Sequence, residues 1–554
     1  AANSSLPVVD LGYGLWQATL NGTGNYYNFS NIRYARPPVG ELRFSPPKHP
    51  LVNRSVVNDG QDGRICPQGF VSWSKERSLF VDAYRTNPNN ISSFTHVPAP
   101  GINTTAKPPK QQDSRASEDC LFLDVLIPTN VYESAASCEN NTSGAPVLVW
   151  IFGGGYYEGS TESEGNPAGF VSQSESLPSS SPGVVYVSIN YRLGALGWMA
   201  GPSFTAGGGT ENTGFYDQRF ALEWIQDNIH LFGGDPNQVT IMGSSAGASS
   251  GLHQITAFGG TKGKAPFQQA FLQSPAFSPN PYNALHEEAY QEVLTIANAT
   301  SLADLRALSS EEIIAVNEAA IFRADYGKSG FGPVVDGFFV PELPTLLLAR
   351  GKYAKNVRAV MSGHNTDEGL IFTDPSIQNT SAFNTYLSTT LLPDAQPEII
   401  DYVTNTLYPP VFTNATGLGY NDTISRLSTL LADTLLNCNV QALMSAFGAN
   451  KSYAYLFEEG PSLHGEQGDY TFYDYGGVTK DTYGAVVNAT VAKTFQDWMV
   501  TFDATGNPNG PGSVPIQPYG MGHLMGSLSN KGVGTPLKDP AGAERCAFWQ
   551  KALF

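Results

Sequence analysis

Ser245 lies two residues after Gly243 and two before Gly247, in the run Gly243-Ser244-Ser245-Ala246-Gly247. A serine hydroxyl becomes a useful nucleophile only when a base takes its proton and when the chain presents it to a substrate. The Gly-x-Ser-x-Gly spacing meets the second requirement. A sharp strand-to-helix turn crowds the flanking positions until only glycine fits, and it leaves the serine exposed in strained backbone geometry. Five residues alone make a weak pattern, but the context strengthens it. Val239 to Met242 reads as a short buried strand, and Ala248 to Phe258 can form a helix whose N-terminal amides point at the serine. Those amides would stabilise negative charge developing nearby.

Acyl-transfer chemistry also needs donors for an oxyanion, a base, and a group that orients the base. Donors are offered by Phe152-Gly153-Gly154-Gly155-Tyr156, where consecutive glycines let backbone N–H groups approach a ligand closely, together with the amide of Ala246. The rival run Gly207-Gly208-Gly209 follows no strand and reads as a loop. In chain order the acid and then the histidine should follow the serine. His464 and His523 are the histidines far enough downstream, and spacing after the strand-like Tyr453 to Phe457 favours His464. Asp367 and Glu368, after the strand-like Arg358 to Ser362, are the acids in a fitting position. His253 and His364 read as structural, and no His/Cys cluster has metal-ligand spacing, so no metal or cofactor is expected.

The elements that must hold these residues alternate. Strand-like runs at Leu121 to Ile127, Val147 to Phe152, Val184 to Asn190, Val239 to Met242, Ala270 to Gln273, Ala359 to Ser362 and Tyr453 to Phe457 are interleaved with helical periodicity, most clearly over Gly214 to Phe232. This alternation predicts an α/β fold on a large, mostly parallel sheet, with ligands bound at the carboxyl ends of its strands. Val8 to about Val57 reads as antiparallel strands at one sheet edge, Cys66 to Cys120 as a long loop rich in Pro, Asn and Ser, and roughly 280–450 as mainly helical insertions. With no internal repeat or low-complexity linker, all 554 residues are read as one domain.

Composition narrows the function. A formal charge of −18 disfavours nucleic acid and strongly anionic substrates. No apolar run reaches membrane-span length, so stable membrane insertion is not expected. Asn-x-Ser/Thr sequons begin at Asn3, Asn21, Asn28, Asn53, Asn90, Asn103, Asn140, Asn141, Asn298, Asn379, Asn414, Asn421, Asn450 and Asn488, a density that points to a secreted, N-glycosylated protein. On that reading a signal peptide has been removed before Ala1. Five cysteines allow two disulfides and one further thiol, with the pairing open.

The sequence resembles the type-B carboxylesterase family of cholinesterases, fungal lipases, sterol esterases and the non-enzymatic neuroligins. The resemblance runs through Arg36-Pro37-Pro38-Val39-Gly40, Ser117-Glu118-Asp119-Cys120-Leu121, the triple glycine, Asn190-Tyr191-Arg192, Asp217-Gln218-Arg219, the serine turn, Pro333-Val334-Val335-Asp336-Gly337, Asp367-Glu368-Gly369, His464-Gly465 and Cys546-Ala547-Phe548-Trp549. It implies an α/β-hydrolase fold with a triad of Ser245, Glu368 and His464 and an oxyanion hole at Gly154, Gly155 and Ala246. It also implies disulfides Cys66 to Cys120 and Cys438 to Cys546, with Cys138 left over, and a buried Arg43 to Glu118 ion pair. Cys66 to Cys120 then corresponds to a lid-like loop. Cholinesterases carry a glutamate where Ser244 stands and a tryptophan where Lys110 to Asp119 has none, so choline esters are not expected, and Trp73 is read as packing or a pocket wall. The loop is too polar for a lipase lid's apolar underside. The expected function is a secreted serine hydrolase of neutral carboxylic esters, which needs no cofactor. Its rivals are a lipase or sterol esterase, a non-catalytic binding protein, and non-hydrolytic acyl transfer or lactone chemistry.

Overall fold

The computed structural model describes residues 6–95, 108–109, 113–137, 144–176, 183–278, 283–328, 330–413, 417–474, 487–520 and 522–551. Near the N-terminus lie β1 (Val8–Asp10), β2 (Leu15–Gln17), β3 (Thr19–Asn21), β4 (Tyr26–Arg33) and β5 (Val57–Asn58). Then follow β6 (Phe122–Pro128), β7 (Ala145–Ile151), β8 (Val185–Ile189), β9 (Gly234–Ser244) and β10 (Gln269–Gln273). The chain ends its strands with β11 (Ala359–Asn365), β12 (Ser452–Phe457), β13 (Leu524–Leu528) and β14 (Pro536–Lys538).

Eleven strands form one sheet in the order β14-β13-β12-β11-β10-β9-β7-β8-β6-β4-β3. The seven from β13 to β8 are mutually parallel, and antiparallel strands close both edges. Every residue of β7, β8, β10, β11 and β12 is buried. Helices cover both faces of a parallel sheet, so such strands read as continuous apolar runs such as Val147-Leu148-Val149-Trp150-Ile151. The predicted α/β architecture is the observed one.

Two local expectations need correction. β1 and β2 do not join the edge of the large sheet; with β5 they make a separate three-stranded sheet. The stretch closed by Cys66 and Cys120 is not all loop, because it contains the helix Ser74–Thr86, which buries Phe80 and Val81 against Leu370, Ile424 and Leu463.

Cys66 is bonded to Cys120 and Cys438 to Cys546. Beside the first bridge, Arg43 meets Glu118 through two bonds of 2.6 and 2.8 Å, both side chains buried, and spends its remaining donors on the carbonyls of Leu305, Arg306 and Leu308. Arg192 and Asp217 make a second buried bidentate pair. Paired in this way, buried charges are tolerated, whereas removal of one partner would strand the other. Cys138 and the sequon asparagines Asn3, Asn103, Asn140, Asn141 and Asn414 lie outside the described residues.

The topology brings distant segments to one sheet edge. Gly153–Gly155 follow β7, Ser245 follows β9, Ser274 follows β10, Glu368 lies three residues past β11, and His464 lies in the loop after β12. These five strands are consecutive neighbours in the sheet.

Candidate active site

Ser245 has φ 54° and ψ −120°, a conformation that L-residues avoid. The flanking glycines show why the turn is so tight. A Cβ on Gly247 would lie 1.9 Å from the carbonyl oxygen of Ile151, and one on Gly243 would lie 2.5 Å from the same atom. The helix Ala246–Thr256 starts directly after the serine and is buried throughout. The Ser245 amide donates to the Gln273 carbonyl at 2.9 Å, fixing the turn to the neighbouring strand.

The Ser245 Oγ to His464 Nε2 distance is 2.7 Å, and His464 Nδ1 lies 2.6 Å from Glu368 Oε2. With Nδ1–H donating to the carboxylate, Nε2 is left as the acceptor for the serine proton. Glu368 is fully buried. Its other oxygen, Oε1, accepts from the Asn365 amide at 2.6 Å and from the Ser274 hydroxyl at 2.5 Å. Burial pushes its pKa up, but the charge of His464 and the bonds from His464, Asn365 and Ser274 outweigh burial, and the net shift is downward. Ser274 in turn accepts from Gln467, and Gln467 from Tyr455. Neither Ser274 nor Gln467 carried a signal in the sequence, because each acts only through a neighbour brought close by folding.

The other candidates separate cleanly. Asp367 turns to the Ser428 hydroxyl at 3.3 Å, and burial raises its pKa to about 6. His523 contacts Tyr519. Buried His253 bonds the Ser249 carbonyl and stacks on Phe215, and desolvation lowers its pKa to about 4. His364 is buried facing Asp539. Trp73 is buried, packing on Tyr326 and under Arg77, so it is a packing residue rather than an open cation site.

The glycine turn is held on several sides. Gly154 and Gly155 have φ of 90° and 58°, and a Cβ on Gly154 would lie 2.2 Å from the Glu158 carbonyl oxygen. The amides of Tyr157 and Glu158 both donate to the Gly154 carbonyl. Gly159 N–H donates to Gln68 Oε1 at 3.0 Å and Gly69 N–H to the Tyr157 carbonyl at 3.1 Å, so the root of the disulfide-closed segment is fastened to this turn. Among the described residues, the amides of Gly154, Gly155 and Ala246 have no acceptor within the protein. Three unengaged donors beside a hydrogen-bonded serine can stabilise the oxygen of a tetrahedral intermediate.

No metal-binding group of three or more His, Cys, Asp or Glu occurs among the described residues, and no described helix is long and apolar enough to cross a membrane.

Comparison with known proteins bears on the family and the fold. The profile of the carboxylesterase family matches residues 10–549. The chain is 38% identical to carboxylesterase patB of Aspergillus clavatus, over 100% of this chain and 97% of that one. It is 34% identical to lipase 1 of Geotrichum candidum, over 66% of this chain and 64% of that one. Among solved structures, Aspergillus niger EstA superposes with a TM-score of 0.77 at 23% identity, covering 99% of both chains, which is a likeness of fold.

Proposed function

The chain belongs to the carboxylesterase family and is a carboxylic ester hydrolase, and on that premise we propose that it works through an acyl-enzyme on Ser245. The observation that carries this reading is the unbroken chain of short contacts from Glu368 through His464 to Ser245. His464 Nε2 takes the hydroxyl proton as Ser245 Oγ attacks the ester carbonyl carbon. Glu368 fixes the tautomer and stabilises the imidazolium. The amides of Gly154, Gly155 and Ala246 bind the oxyanion, each donor lowering the barrier by about 3 kcal/mol. His464 then protonates the departing alcohol, and the same groups drive attack by water on the acyl-enzyme.

The acidic chain favours neutral esters as substrates. Secretion belongs to the same reading. It is supported by the two disulfides and by exposed sequon asparagines at Asn21, Asn53, Asn90, Asn379, Asn421 and Asn450. Relatives named as secreted include secreted lipase 1 of Botryotinia fuckeliana.

The test is hydrolysis of p-nitrophenyl esters from acetate to palmitate, with an aromatic acyl ester added, by the wild type and Ser245→Ala. Activity should peak at short or aromatic acyl groups and vanish in the variant, and an organophosphate should label Ser245. A peak at long chains would move the reading to lipase. Equal activity in wild type and variant would remove Ser245 from the chemistry.

A further inference from the structure

A second carboxyl group stands at the oxyanion turn, outside the triad. Glu164 lies in the turns between β7 and β8, and its Oε2 accepts the Gly153 amide at 3.1 Å. A Cβ on Gly153 would fall 2.8 Å from Glu164 Oε1, 2.8 Å from the Ser244 carbonyl oxygen and 3.1 Å from the Cβ of Ser245. The carboxyl, the first glycine of the turn and the nucleophile therefore crowd around one point. The Trp150 indole on β7 also favours the ionised carboxyl, against the effect of burial.

We propose that Glu164 is a positioning residue for the oxyanion hole: it holds the Gly153 amide, so that the amides of Gly154 and Gly155 stay free for the substrate oxygen, and it does so as the neutral acid. This rests on the Ser245 acyl-enzyme reading. The proton matters because a carboxylate this close to the nucleophile would oppose the negative charge that develops on the substrate. Lost hydration works in that direction: Glu164 is half-buried, and burial raises its pKa to about 8 against smaller opposing effects of Gly153 and Trp150. The titratable groups facing it are Tyr186 on β8 and Tyr191 just beyond, both themselves kept neutral by burial. Among the described residues of these elements, no cation contributes to its shift. Above its pKa the group ionises, and turnover should fall while substrate binding persists.

The experiment measures kcat and KM for phenyl acetate from about pH 6 to 9.5 in the wild type, Glu164→Gln and Glu164→Ala. Glutamine can still accept the Gly153 N–H but cannot ionise. Glu164→Gln is expected to keep kcat within about threefold of wild type at pH 7 and to lack the wild-type decline above about pH 8. Glu164→Ala should lose about 100-fold in kcat with little change in KM, the scale of a misplaced catalytic group. An identical alkaline decline in wild type and Glu164→Gln would overturn the proposal, and so would Glu164→Ala with kcat within about threefold of wild type. Should the alanine variant fail to fold, the two pH profiles decide. Organophosphate labelling of wild-type Ser245 reports separately on the acyl-enzyme reading, so a failure there is distinguishable from a failure at Glu164.

Discussion

Replacing Glu368 by glutamine removes one charge while keeping shape, and the surroundings dictate how the new amide must sit. Oε1 receives two donors, the Asn365 N–H and the Ser274 O–H. Only the amide oxygen can take that place, because an NH2 there would face the backbone N–H donor. The NH2 is then left beside His464 Nδ1, now 2.6 Å from Oε2. To avoid two opposed donors, His464 must move its proton to Nε2, the atom that has to accept the proton of Ser245. The base is thereby blocked without any loss of packing. A wrong-tautomer defect of this kind costs about 10³–10⁴ in kcat, roughly 4–5.5 kcal/mol in the barrier. KM should barely move, because Glu368 is fully buried. Steady-state kinetics on p-nitrophenyl acetate measure this directly, with Asp367→Asn as the control expected to stay within about threefold of wild type. Retention of more than about a tenth of wild-type kcat by Glu368→Gln, or an equal loss in Asp367→Asn, would refute the assignment.

Two further outcomes follow, one from a buried acid in the core and one from the glycine turn. Asp503 is buried with neither carboxyl oxygen hydrogen-bonded among the described residues, and desolvation, only partly offset by Thr240, raises its pKa to about 8. Between its ordinary 3.8 and that value the folded chain keeps a proton that the unfolded chain has released, so this group's contribution is fully present below pH 3.8 and is lost as pH rises toward 8. Asp503→Asn should therefore stabilise the protein by about 2–4 kcal/mol near pH 7.5 and much less near pH 4; calorimetric melting shifts of equal size at both pH values would contradict this. Gln68→Ala strands the Gly159 amide and loosens the glycine turn. Denaturant unfolding should show a loss of about 1–2 kcal/mol, and kcat should drop about tenfold at constant KM, whereas unchanged kcat would mean that the disulfide-closed segment does not support the turn.

Much of the architecture was legible because burial leaves a continuous mark. Strands covered on both faces cannot alternate, and β7 to β12 announced themselves as apolar runs. The serine turn was legible for a different reason: only glycine survives 1.9 and 2.5 Å from a carbonyl oxygen, so the geometry is written into residue type. The helix Ser74–Thr86 left no such trace. Its buried residues are Phe80 and Val81, and they rest on Leu370, Ile424 and Leu463, hundreds of residues away, so tertiary contact rather than periodicity defines it. β13, a short Leu-Met-Gly-Ser-Leu run, escaped for a similar reason. Glu164 sits in a polar segment indistinguishable from any loop until folding places Gly153 against it.

The choice between Asp367 and Glu368 shows where local sequence stops and long-range backbone pairing takes over. Both acids occupy the turn after β11, and either chemistry would serve a histidine. Past the ends of β11 and β12 the two loops remain joined: Asp367 N–H donates to the Ser462 carbonyl at 3.0 Å, Thr366 N–H to the Ser462 hydroxyl, and the Asn365 side chain to the Leu463 carbonyl. Asp367 is thereby bridged in parallel with Leu463, the residue before His464. Its carboxyl goes to Ser428. Glu368, one residue on, goes to the other side and reaches the imidazole. The turn after Glu368 is just as constrained, since a Cβ on Gly369 would lie 1.8 Å from the Ser428 carbonyl oxygen. Which of two adjacent carboxylates pairs with His464 is therefore set by the way the joined loops direct them, and that depends on hydrogen bonds to residues almost a hundred positions away rather than on either acid's own chemistry.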